Sequence, residues 1–469
     1  MTKIVCTIGP TSDSPENLTR LMQAGMNVAR LNFSHGLQSD KKELIRRIRT
    51  LSRKLGLSVA ILQDLAGPKI RTGVLESGPL HLESGNSLTL TGRKKARHPG
   101  EVTVSYPALS GDVKPGDPIL LNDGALELVV ESVDGPDIRC RVVVGGPLAS
   151  RKGINLPGGS IRAPILTRKD LSDLDFGLTE DVDWIALSFV RSAEDILRVR
   201  RRMQRAGRSI PLIAKIEKHE AVTGIDSILE VADGLMVARG DLGVEIPIEQ
   251  VPGVQKMLIE KANRAGKPVI TATQMLKSMT DNPRPTRAEV TDVANAILDG
   301  SDAVMLSEET AMGRYPIESV LMMRRVATQT EKSFPYRLWT RKFGDDPDLG
   351  PQEAVARAAC QIAESIGAAA IVTCTASGST TRHVSKYRPP QPILALTPDE
   401  TTYRRTALIW GAVPIHMAPA RNADAMEREA LRRIRRMGLV RSGDRVVLTA
   451  GLPLHVPGTT NLVKVATIP

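Results

Sequence analysis

Lys215 and Glu217 stand at the end of an apolar run, residues 211–217, that predicts a buried parallel strand. Because successive side chains of a strand point to opposite faces, the two charged side chains share one face. Each charge is costly to remove from water unless it has a partner. A pair of this kind is compatible with a structural ion pair and also with a reactive site.

A second stretch of the same kind favours the reactive site. Residues 234–238 form another short apolar run, and Arg239, Gly240 and Asp241 follow it. If the two strands are neighbours, Glu217 and Asp241 together form an oxygen-rich site. Such a site suits Mg²⁺, which binds few protein carboxylates and completes its shell with substrate oxygens and water.

Length and composition restrict the class of protein. A chain of 469 residues is too long for one ordinary core and predicts two or three domains. Hydrophobic residues make up 41% and charged residues 25%, which is typical of soluble globular proteins. The sequence has no run of about 18 apolar residues, so no membrane span is expected, and its N-terminal residues lack a signal-peptide profile. Four scattered cysteines and seven scattered histidines argue against disulfides and zinc and favour the cytoplasm.

The net charge of +11 raises the question of nucleic-acid binding. Aromatic residues make up only 3% of the chain, so stacking platforms for bases are scarce. Arginine-rich segments such as 198–202 and 432–436 predict solvated helix faces instead. A basic surface would in any case attract phosphorylated small molecules.

The first 65 residues alternate between strand and helix patterns, which implies a parallel sheet. Strand-like runs occupy residues 3–9, 27–33 and 58–65. Ser14 and Pro15 provide the start signals of the first helix, and Gly25 provides its end signal. Residues 38–55 predict a second, basic helix.

From about residue 73 to residue 160, short alternating runs rich in Gly, Pro, Val and Thr predict a small all-β insertion. The βα order resumes at Thr167, a predicted N-cap. Five strand-like runs follow, at residues 184–190, 212–217, 234–238, 268–273 and 303–306. Eight βα units over about 240 residues predict a TIM barrel, which typically takes ~250. A doubly wound sheet is the weaker alternative.

The last part of the chain predicts a separate α/β unit. Residues 331–351 are polar and predict a linker. Five strand-like runs follow, at residues 370–374, 392–396, 413–415, 445–448 and 462–465. The predicted fold is therefore α/β, a TIM (β/α)8 barrel with an inserted small β-barrel lid domain and a C-terminal α/β domain. We assign residues 1–69 and 165–335 to the barrel, 70–164 to the lid domain and 350–469 to the C-terminal domain.

In a TIM barrel the active face is formed by the C-terminal ends of the strands. Arg30, Arg71 and Lys215 would lie on that rim beside Glu217 and Asp241. Cations together with carboxylates for a divalent metal are what a transferring phosphoryl group requires. The sequence has neither a Walker-A loop nor the glycine-rich loop of protein kinases, so this would be a different solution to phosphoryl transfer.

The sequence resembles the pyruvate kinase family nearly end to end, and the matches occur in family order. They include K-I-V-C-T-I-G-P at 3–10, N-V-A-R-L-N-F-S-H-G at 27–36, G-P-K-I-R-T-G at 67–73, K-G-I-N-L-P-G at 152–158, M-V-A-R-G-D-L-G at 236–243 and M-L-S-E-E-T-A at 305–311. The resemblance implies transfer of phosphate from phosphoenolpyruvate to ADP, giving pyruvate and ATP. It also implies a cytoplasmic homotetramer, and the G-P-K-I-R stretch resembles bacterial members.

The resemblance also implies a role for individual residues. Lys215 would stabilise the transferring phosphoryl group, which Arg30 and Arg71 would bind. The substrate would be bound by Arg30, Ala238, Arg239, Gly240, Asp241 and Thr273, and Thr273 would also help to protonate the enolate. The metal, Mg²⁺ or Mn²⁺, would be held by Glu217 and Asp241, and the nucleotide would contact Asn32, His35, Arg71 and Lys152. The inserted domain would exclude water from the phosphoryl group.

One position departs from the potassium-dependent members of the family. Asn32, Ser34 and Asp64 match the family's ligands for the monovalent cation. However, Lys69 stands where those members have glutamate, and Leu65 where they have threonine. The ammonium of Lys69 would supply positive charge where the cation sits, which predicts activity without K⁺. The alternative is that Lys69 points to solvent and the cation still binds.

A second phosphate site is predicted in the C-terminal domain. Residues 375–382 form a turn rich in hydroxyls and glycine that leads into a predicted helix. The alternative is an ordinary N-capped helix. The family uses this region for phosphorylated effectors, and residues 457–461 resemble its neighbouring loop. We therefore expect an effector to bind at Thr375, Ser377, Gly378, Ser379 and Thr380. Ser379 stands where many members have a basic residue, which leaves the ligand open.

Three rival functions are considered. An aldolase would use Lys215 as a Schiff-base nucleophile, and the paired carboxylates speak against it. A nucleic-acid binder would show strongly salt-dependent binding. A catalytically silent paralogue has no support in the sequence, because every expected catalytic residue is present.

Overall fold

Eight parallel strands form a closed barrel in the computed structural model, which describes residues 1–76, 78–98, 100–159, 162–343, 349–454, 456 and 458–469. The strands are Lys3–Thr7, Val28–Asn32, Ala60–Leu65, Trp184–Leu187, Leu212–Ile216, Gly234–Ala238, Val269–Ala272 and Ala303–Leu306. Nearly all of their residues are buried, as expected for parallel strands that are covered on both faces. The first strand pairs with the second and the eighth, which closes the barrel and confirms the predicted fold class.

The barrel helices are Pro15–Ala24, Gln38–Leu55, Arg168–Thr179, Ala193–Arg205, His219–Thr223, Ile225–Val231, Arg239–Glu245, Val251–Arg264, Arg287–Leu298, Glu308–Ala311 and Pro316–Glu331. The first three of these helices begin where the sequence predicts. Ser14 Oγ accepts a hydrogen bond from the Asn17 amide at 3.1 Å, and Gly25 ends that helix with a φ of 126°. Thr167 caps its helix as predicted, because its hydroxyl accepts a hydrogen bond from the Asp170 amide.

The insertion between the third and fourth barrel strands consists mainly of strands, as predicted, with one 3₁₀ helix, Pro107–Gly111. Its strands are Leu80–Leu82, Ser87–Thr91, Glu101–Thr103, Pro118–Leu121, Leu126–Asp134, Asp137–Val144, Gly146–Leu148 and Ile154–Asn155. Six of them form one sheet, and the other two, Leu80–Leu82 and Gly146–Leu148, form a separate pair. The two ends of the insertion meet, because Arg71 pairs with Gly153. We refer to this unit as the lid.

The C-terminal unit is a five-stranded sheet flanked by helices. Its strands are Ala370–Cys374, Ile393–Thr397, Ala412–His416, Arg445–Gly451 and Thr460–Thr467, and the last of these is antiparallel to its neighbour. Its helices are Pro351–Ser365, Ser379–Lys386, Glu400–Arg405 and Ala423–Arg436.

The predicted linker at residues 331–351 contains a helix, Tyr336–Lys342, which the polar composition did not predict. Its cause is aromatic packing. The Trp339 ring is buried 5.3 Å from the Phe334 ring and 5.3 Å from the Phe343 ring. The Asp345, Asp346 and Pro347 part of the predicted linker lies outside the described residues.

The C-terminal domain docks against the N-terminal ends of the barrel strands. Asp183, which directly precedes the fourth barrel strand, is fully buried at this junction. Its carboxylate lies 2.7 Å from Arg49 Nη1 and 2.7 Å from Arg404 Nε. Because this contact is at the base of the barrel, the opposite face, where the strands end, is left to the lid.

Among the helices of the described ranges, none is both long enough and apolar enough to cross a membrane.

Candidate active site

Lys215 is at the centre of a buried charge cluster at the C-terminal ends of the barrel strands. Its Nζ lies 3.0 Å from Glu217 Oε1 and 3.3 Å from Asp64 Oδ1. It also donates a 2.6 Å hydrogen bond to Ser188 Oγ. Arg30 Nε binds the other oxygen of Asp64 at 2.7 Å. The barrel therefore brings together residues from the ends of its second, third, fourth and fifth strands, among them the predicted Arg30, Lys215 and Glu217.

The charges of this cluster support one another. Burial lowers the pKa of Lys215, but the carboxylates of Asp64 and Glu217 outweigh it and hold that pKa above its ordinary value. Burial likewise raises the pKa of Asp64, but Lys215 and Arg30 outweigh it and hold that pKa below its ordinary value. Lys215 is therefore an ammonium at neutral pH. A Schiff-base nucleophile must be neutral, so this geometry opposes the aldolase alternative.

Glu217 and Asp241 are the candidate metal ligands, and the donor set fits Mg²⁺ or Mn²⁺. Burial raises the pKa of Glu217, Lys215 opposes this, and the nearby Asp241 carboxylate raises it further. A divalent cation between two such carboxylates would relieve their repulsion. Within the described residues no group of three or more His, Cys, Asp or Glu side chains is arranged to hold a metal. A two-carboxylate site suits Mg²⁺, which keeps water and substrate oxygens as its other ligands.

The substrate side of the cleft is formed by the end of the sixth barrel strand and the start of helix Arg239–Glu245. The Gly240 amide donates a 2.8 Å hydrogen bond to Thr273 Oγ1. Thr273 has a φ of 72°, in the left-handed region, which is strained for a β-branched residue and typical of functional sites. The Arg239 side chain is held 2.6 Å from Asp292, so only its backbone is available to a ligand.

Arg71 and Lys152, the remaining predicted phosphate and nucleotide contacts, belong to the lid. Arg71 Nη1 donates to the carbonyl of Arg151 at 3.3 Å, and the Lys152 amide donates to Thr72 Oγ1 at 2.9 Å. The hydrogen bonds and ion pairs of the described residues do not join either side chain to Lys215. The structure thus places these two residues on the lid, not in the buried cluster.

The predicted monovalent-cation residues are only partly brought together. Asn32 Oδ1 accepts a hydrogen bond from the Ser34 amide at 3.0 Å, while Ser34 and its neighbour His35 are exposed. Asp64 is bound by Arg30 and Lys215.

Lys69 is turned into the cleft, in contrast to the alternative that it points to solvent. Its Nζ lies 3.0 Å from Asp241 Oδ1 and 3.7 Å from Asp123 Oδ1 of the lid. An ammonium is therefore placed directly beside a candidate metal ligand.

The hydroxyl-rich turn of the C-terminal domain borders a cavity of about 60 Å³. Gly378 has a φ of 84°, and its amide donates to Thr375 Oγ1 at 2.9 Å. Helix Ser379–Lys386 follows, and Thr380 shares a 2.7 Å hydrogen bond with Thr460. Among the described lining residues there is no lysine or arginine. Pro457 of the predicted neighbouring loop lies outside the described residues, whereas Gly458 and Thr459 line the cavity.

The sequence analysis assigned no role to two residues that position the cluster. Ser188 accepts from Lys215 and donates to the carbonyl of Leu65 at 2.7 Å. Thr7 accepts from Arg30 Nη1 at 2.9 Å. Ser188 follows the fourth barrel strand and Thr7 ends the first. Their position at the C-terminal ends of strands was the sequence signal that could have identified them. Glu309, which follows the eighth barrel strand, is structural, because its carboxylate accepts hydrogen bonds from the amides of Leu276 and Ser307.

The fold and the cluster together define a barrel enzyme equipped to transfer a phosphoryl group. The family model described as pyruvate kinase, barrel domain matches residues 1–320, and the model of the pyruvate kinase alpha/beta domain matches residues 353–466. The chain belongs to the pyruvate kinase family.

Individual proteins agree with this assignment. A pyruvate kinase of Geobacillus stearothermophilus is 48% identical over 100% of this chain and 80% of its own length. A pyruvate kinase of Clostridium acetobutylicum is 44% identical over 100% of this chain and 99% of its own length. The crystal structure of a pyruvate kinase from Cryptosporidium parvum matches with a TM-score of 0.94 and 39% identity, covering 100% of this chain and 96% of that one.

Proposed function

We propose that this chain transfers the phosphoryl group of phosphoenolpyruvate to ADP, giving pyruvate and ATP, in the last step of glycolysis. The observation that carries the proposal is the buried ammonium of Lys215, held charged by Asp64 and Glu217 at the C-terminal face of the barrel. Fixed positive charge in a site with little water stabilises the negative charge of a phosphoryl group in transfer.

We propose that Lys215 and Arg30 bind the phosphoryl group. Both cations bind Asp64, and the carboxylate fixes their relative positions. Ser188 and Thr7 hold the two side chains from neighbouring strands. This leaves the cations preorganised, so little reorganisation is needed when charge develops. Arg71 of the lid would add a third cation.

Glu217 and Asp241 would hold Mg²⁺ or Mn²⁺. When bound, the metal supplies charge neutralisation and orientation of the phosphate oxygens. The Phe189 amide donates to Glu217 Oε2 at 2.7 Å and so fixes that carboxylate. Helix Arg239–Glu245 fixes the other, because Asp241 is in its first turn.

The substrate carboxylate would lie near the backbone of Ala238, Arg239 and Gly240, where amides at the start of a helix favour an anion. Loss of the phosphoryl group leaves an enolate, whose carbon must take a proton. Thr273 would help to deliver it, and the support is its position, because its hydroxyl accepts a 2.8 Å hydrogen bond from the Gly240 amide beside the proposed substrate site.

The nucleotide would contact Asn32, His35, Arg71 and Lys152. Asn32 ends the second barrel strand, His35 follows it, and the other two residues belong to the lid, so the nucleotide would lie between the barrel and the lid. A closed lid would exclude water, which otherwise competes with ADP for the phosphoryl group.

The enzyme would not need K⁺. The support is the 3.0 Å ion pair between Lys69 and Asp241, which keeps a positive charge permanently in the cleft.

We further propose regulation by a phosphorylated small molecule at Thr375, Ser377, Gly378, Ser379 and Thr380. The cavity there presents hydroxyls and amides without a lining cation among the described residues. The family resemblance also favours a cytoplasmic homotetramer that carries this regulation between subunits.

The function is tested by ATP formation from phosphoenolpyruvate and ADP with Mg²⁺. Purified protein is expected to form ATP and pyruvate in equal amounts. Failure to form ATP, with folded protein and sugar phosphate or AMP added, would overturn the proposal. Trapping of a substrate on Lys215 by borohydride would support the aldolase instead.

A further inference from the structure

Three buried polar side chains join the lid to the barrel outside the phosphoryl cluster. Lys218 Nζ donates to Glu245 Oε1 at 2.7 Å, and Asn155 Nδ2 of the lid donates to the same oxygen at 3.0 Å. The residues are 5%, 3% and 4% exposed, respectively. We call Asn155, Lys218 and Glu245 the lid seat.

The seat is attached to both candidate metal ligands. Lys218 directly follows Glu217 in the chain. Glu245 lies four residues after Asp241 in helix Arg239–Glu245, so the two side chains are on the same face of that helix. A displacement of Lys218 therefore also displaces its neighbour Glu217. A displacement of Glu245 also displaces Asp241, one helical turn away.

On the lid side, the seat lies where the chain enters and leaves the lid. Asn155 ends the short strand Ile154–Asn155, and the Ile154 amide donates to the carbonyl of Ile70 at 2.9 Å. The lid approaches the same barrel helix at a second place. A Cβ on Gly124 would lie 3.8 Å from Val244 Cγ1. The lid thus contacts helix Arg239–Glu245 at two places, through Asn155 and beside Gly124.

The seat is suited to a contact that opens and closes. Glu245 Oε2 and Asn155 Oδ1 are buried, yet neither accepts a hydrogen bond within the described part of the chain. A buried acceptor without a partner is destabilising, which offsets much of the gain from the hydrogen bond beside it. When the lid lifts, Asn155 exchanges one hydrogen bond for water, while Lys218 stays paired with Glu245. No buried charge is left alone in the open state.

We propose that the lid seat fixes the closed position of the lid relative to the metal carboxylates, with Lys218, Glu245 and Asn155 as positioning residues for phosphoryl transfer. The inference rests on the proposed function, because it concerns how that reaction excludes water. If the lid seat is disrupted, the lid no longer closes fully and water enters the cleft. Phosphoenolpyruvate and water then give pyruvate and inorganic phosphate. The bond between phosphorus and the enolate oxygen breaks, and a bond from phosphorus to the oxygen of water forms in place of the bond to ADP. Water releases a proton, and the enolate carbon takes one up to give pyruvate.

Asn155→Ala and Asn155→Asp test the seat without touching the cluster around Lys215. We expect more pyruvate than ATP from both variants. The kcat/KM for ADP should fall about tenfold in Asn155→Ala, as expected for one lost hydrogen bond, while the KM for phosphoenolpyruvate stays within about twofold. In Asn155→Asp the kcat/KM for ADP should fall further than in Asn155→Ala, because a second carboxylate then faces Glu245.

Tyr106→Phe is the matched control. It removes a 2.8 Å hydrogen bond to Asp112 that lies wholly inside the lid. This variant should form pyruvate and ATP in equal amounts. If circular dichroism shows that the Asn155 variants do not fold, Glu245→Gln is used instead. This variant keeps the shape of the side chain and removes the charge that Lys218 binds, so it should also form more pyruvate than ATP.

Two results would overturn the inference, and they are distinguishable. If wild-type protein forms no ATP, the proposed function fails and the seat with it. If wild-type protein is active but the Asn155 and Glu245 variants match Tyr106→Phe in product ratio and in kcat/KM for ADP, the seat alone is wrong.

Discussion

The barrel cleft and the C-terminal cavity are both predicted phosphate sites, but they are lined by different kinds of chemical group. The cleft holds buried charges, with Lys215, Arg30, Asp64 and Glu217 bound to one another. The cavity presents hydroxyls, amides and apolar side chains, without a lysine or arginine among its described lining residues. Buried charge is costly and persists only where it is paired. A hydroxyl-rich turn costs little and also occurs at any capped helix. The cleft therefore holds a fixed set of paired charges, while the cavity offers hydrogen-bonding groups without a lysine or arginine among its described lining residues.

The largest effect is expected at Lys215. Lys215→Met removes the central ammonium of the cleft, so kcat should fall by about 10²–10³-fold, as for loss of a preorganised group that stabilises transition-state charge. Steady-state kinetics check this. Lys267→Met is the control, because Lys267 binds the carbonyls of Leu229 and Ala232, at the end of helix Ile225–Val231, at the opposite end of the barrel. Equal losses in the two variants would mean that Lys215 is only structural.

The junction between the two regions should respond in stability. Asp183→Asn weakens two arginine pairs at a fully buried carboxylate, so the free energy of unfolding should fall by about 3–5 kcal/mol. Urea denaturation measures it. Asp226→Asn, an exposed carboxylate of a barrel helix, should change stability by under about 1 kcal/mol. A small effect of Asp183→Asn would show that the two domains are held together elsewhere.

The metal requirement should change at Asp241. In Asp241→Asn the Mg²⁺ concentration for half-maximal activity should rise at least about tenfold, because one of two protein carboxylates is lost. Calorimetric titration with Mn²⁺ measures the loss of metal affinity directly, without turnover. Chelation by EDTA should abolish wild-type activity, and excess Mg²⁺ should restore it. An unchanged metal affinity in Asp241→Asn would remove Asp241 from the metal site.

The smallest effect is expected in the cavity. Thr375→Val and Ser377→Ala should leave kcat without effector within about twofold, because neither residue touches the cleft. They should weaken the response to glucose 6-phosphate or AMP if either compound activates the wild-type enzyme. A loss of basal activity in these variants would contradict the separation of the two regions.

The same contrast explains what the sequence predicted. The apolar runs ending in Lys215 and Asp241 predicted both the barrel strands and the cluster, because charge beside a buried strand is rare. The helix Tyr336–Lys342 was missed, because it is stabilised by the packing of Trp339 against Phe334 and Phe343. These aromatic residues do not form a periodic hydrophobic pattern in the sequence. Asn155 and Glu245 were missed as a pair, because they are 90 residues apart and meet only when the lid folds onto the barrel.

The most direct measurement is ATP formation from phosphoenolpyruvate and ADP with Mg²⁺, with and without K⁺, for wild-type protein and for Lys69→Glu. The account predicts equal wild-type activity in both buffers, because Lys69 keeps a positive charge 3.0 Å from Asp241. Lys69→Glu should then need added K⁺. Wild-type activity only with K⁺ would contradict the role of Lys69, and no ATP in either buffer would contradict the account as a whole.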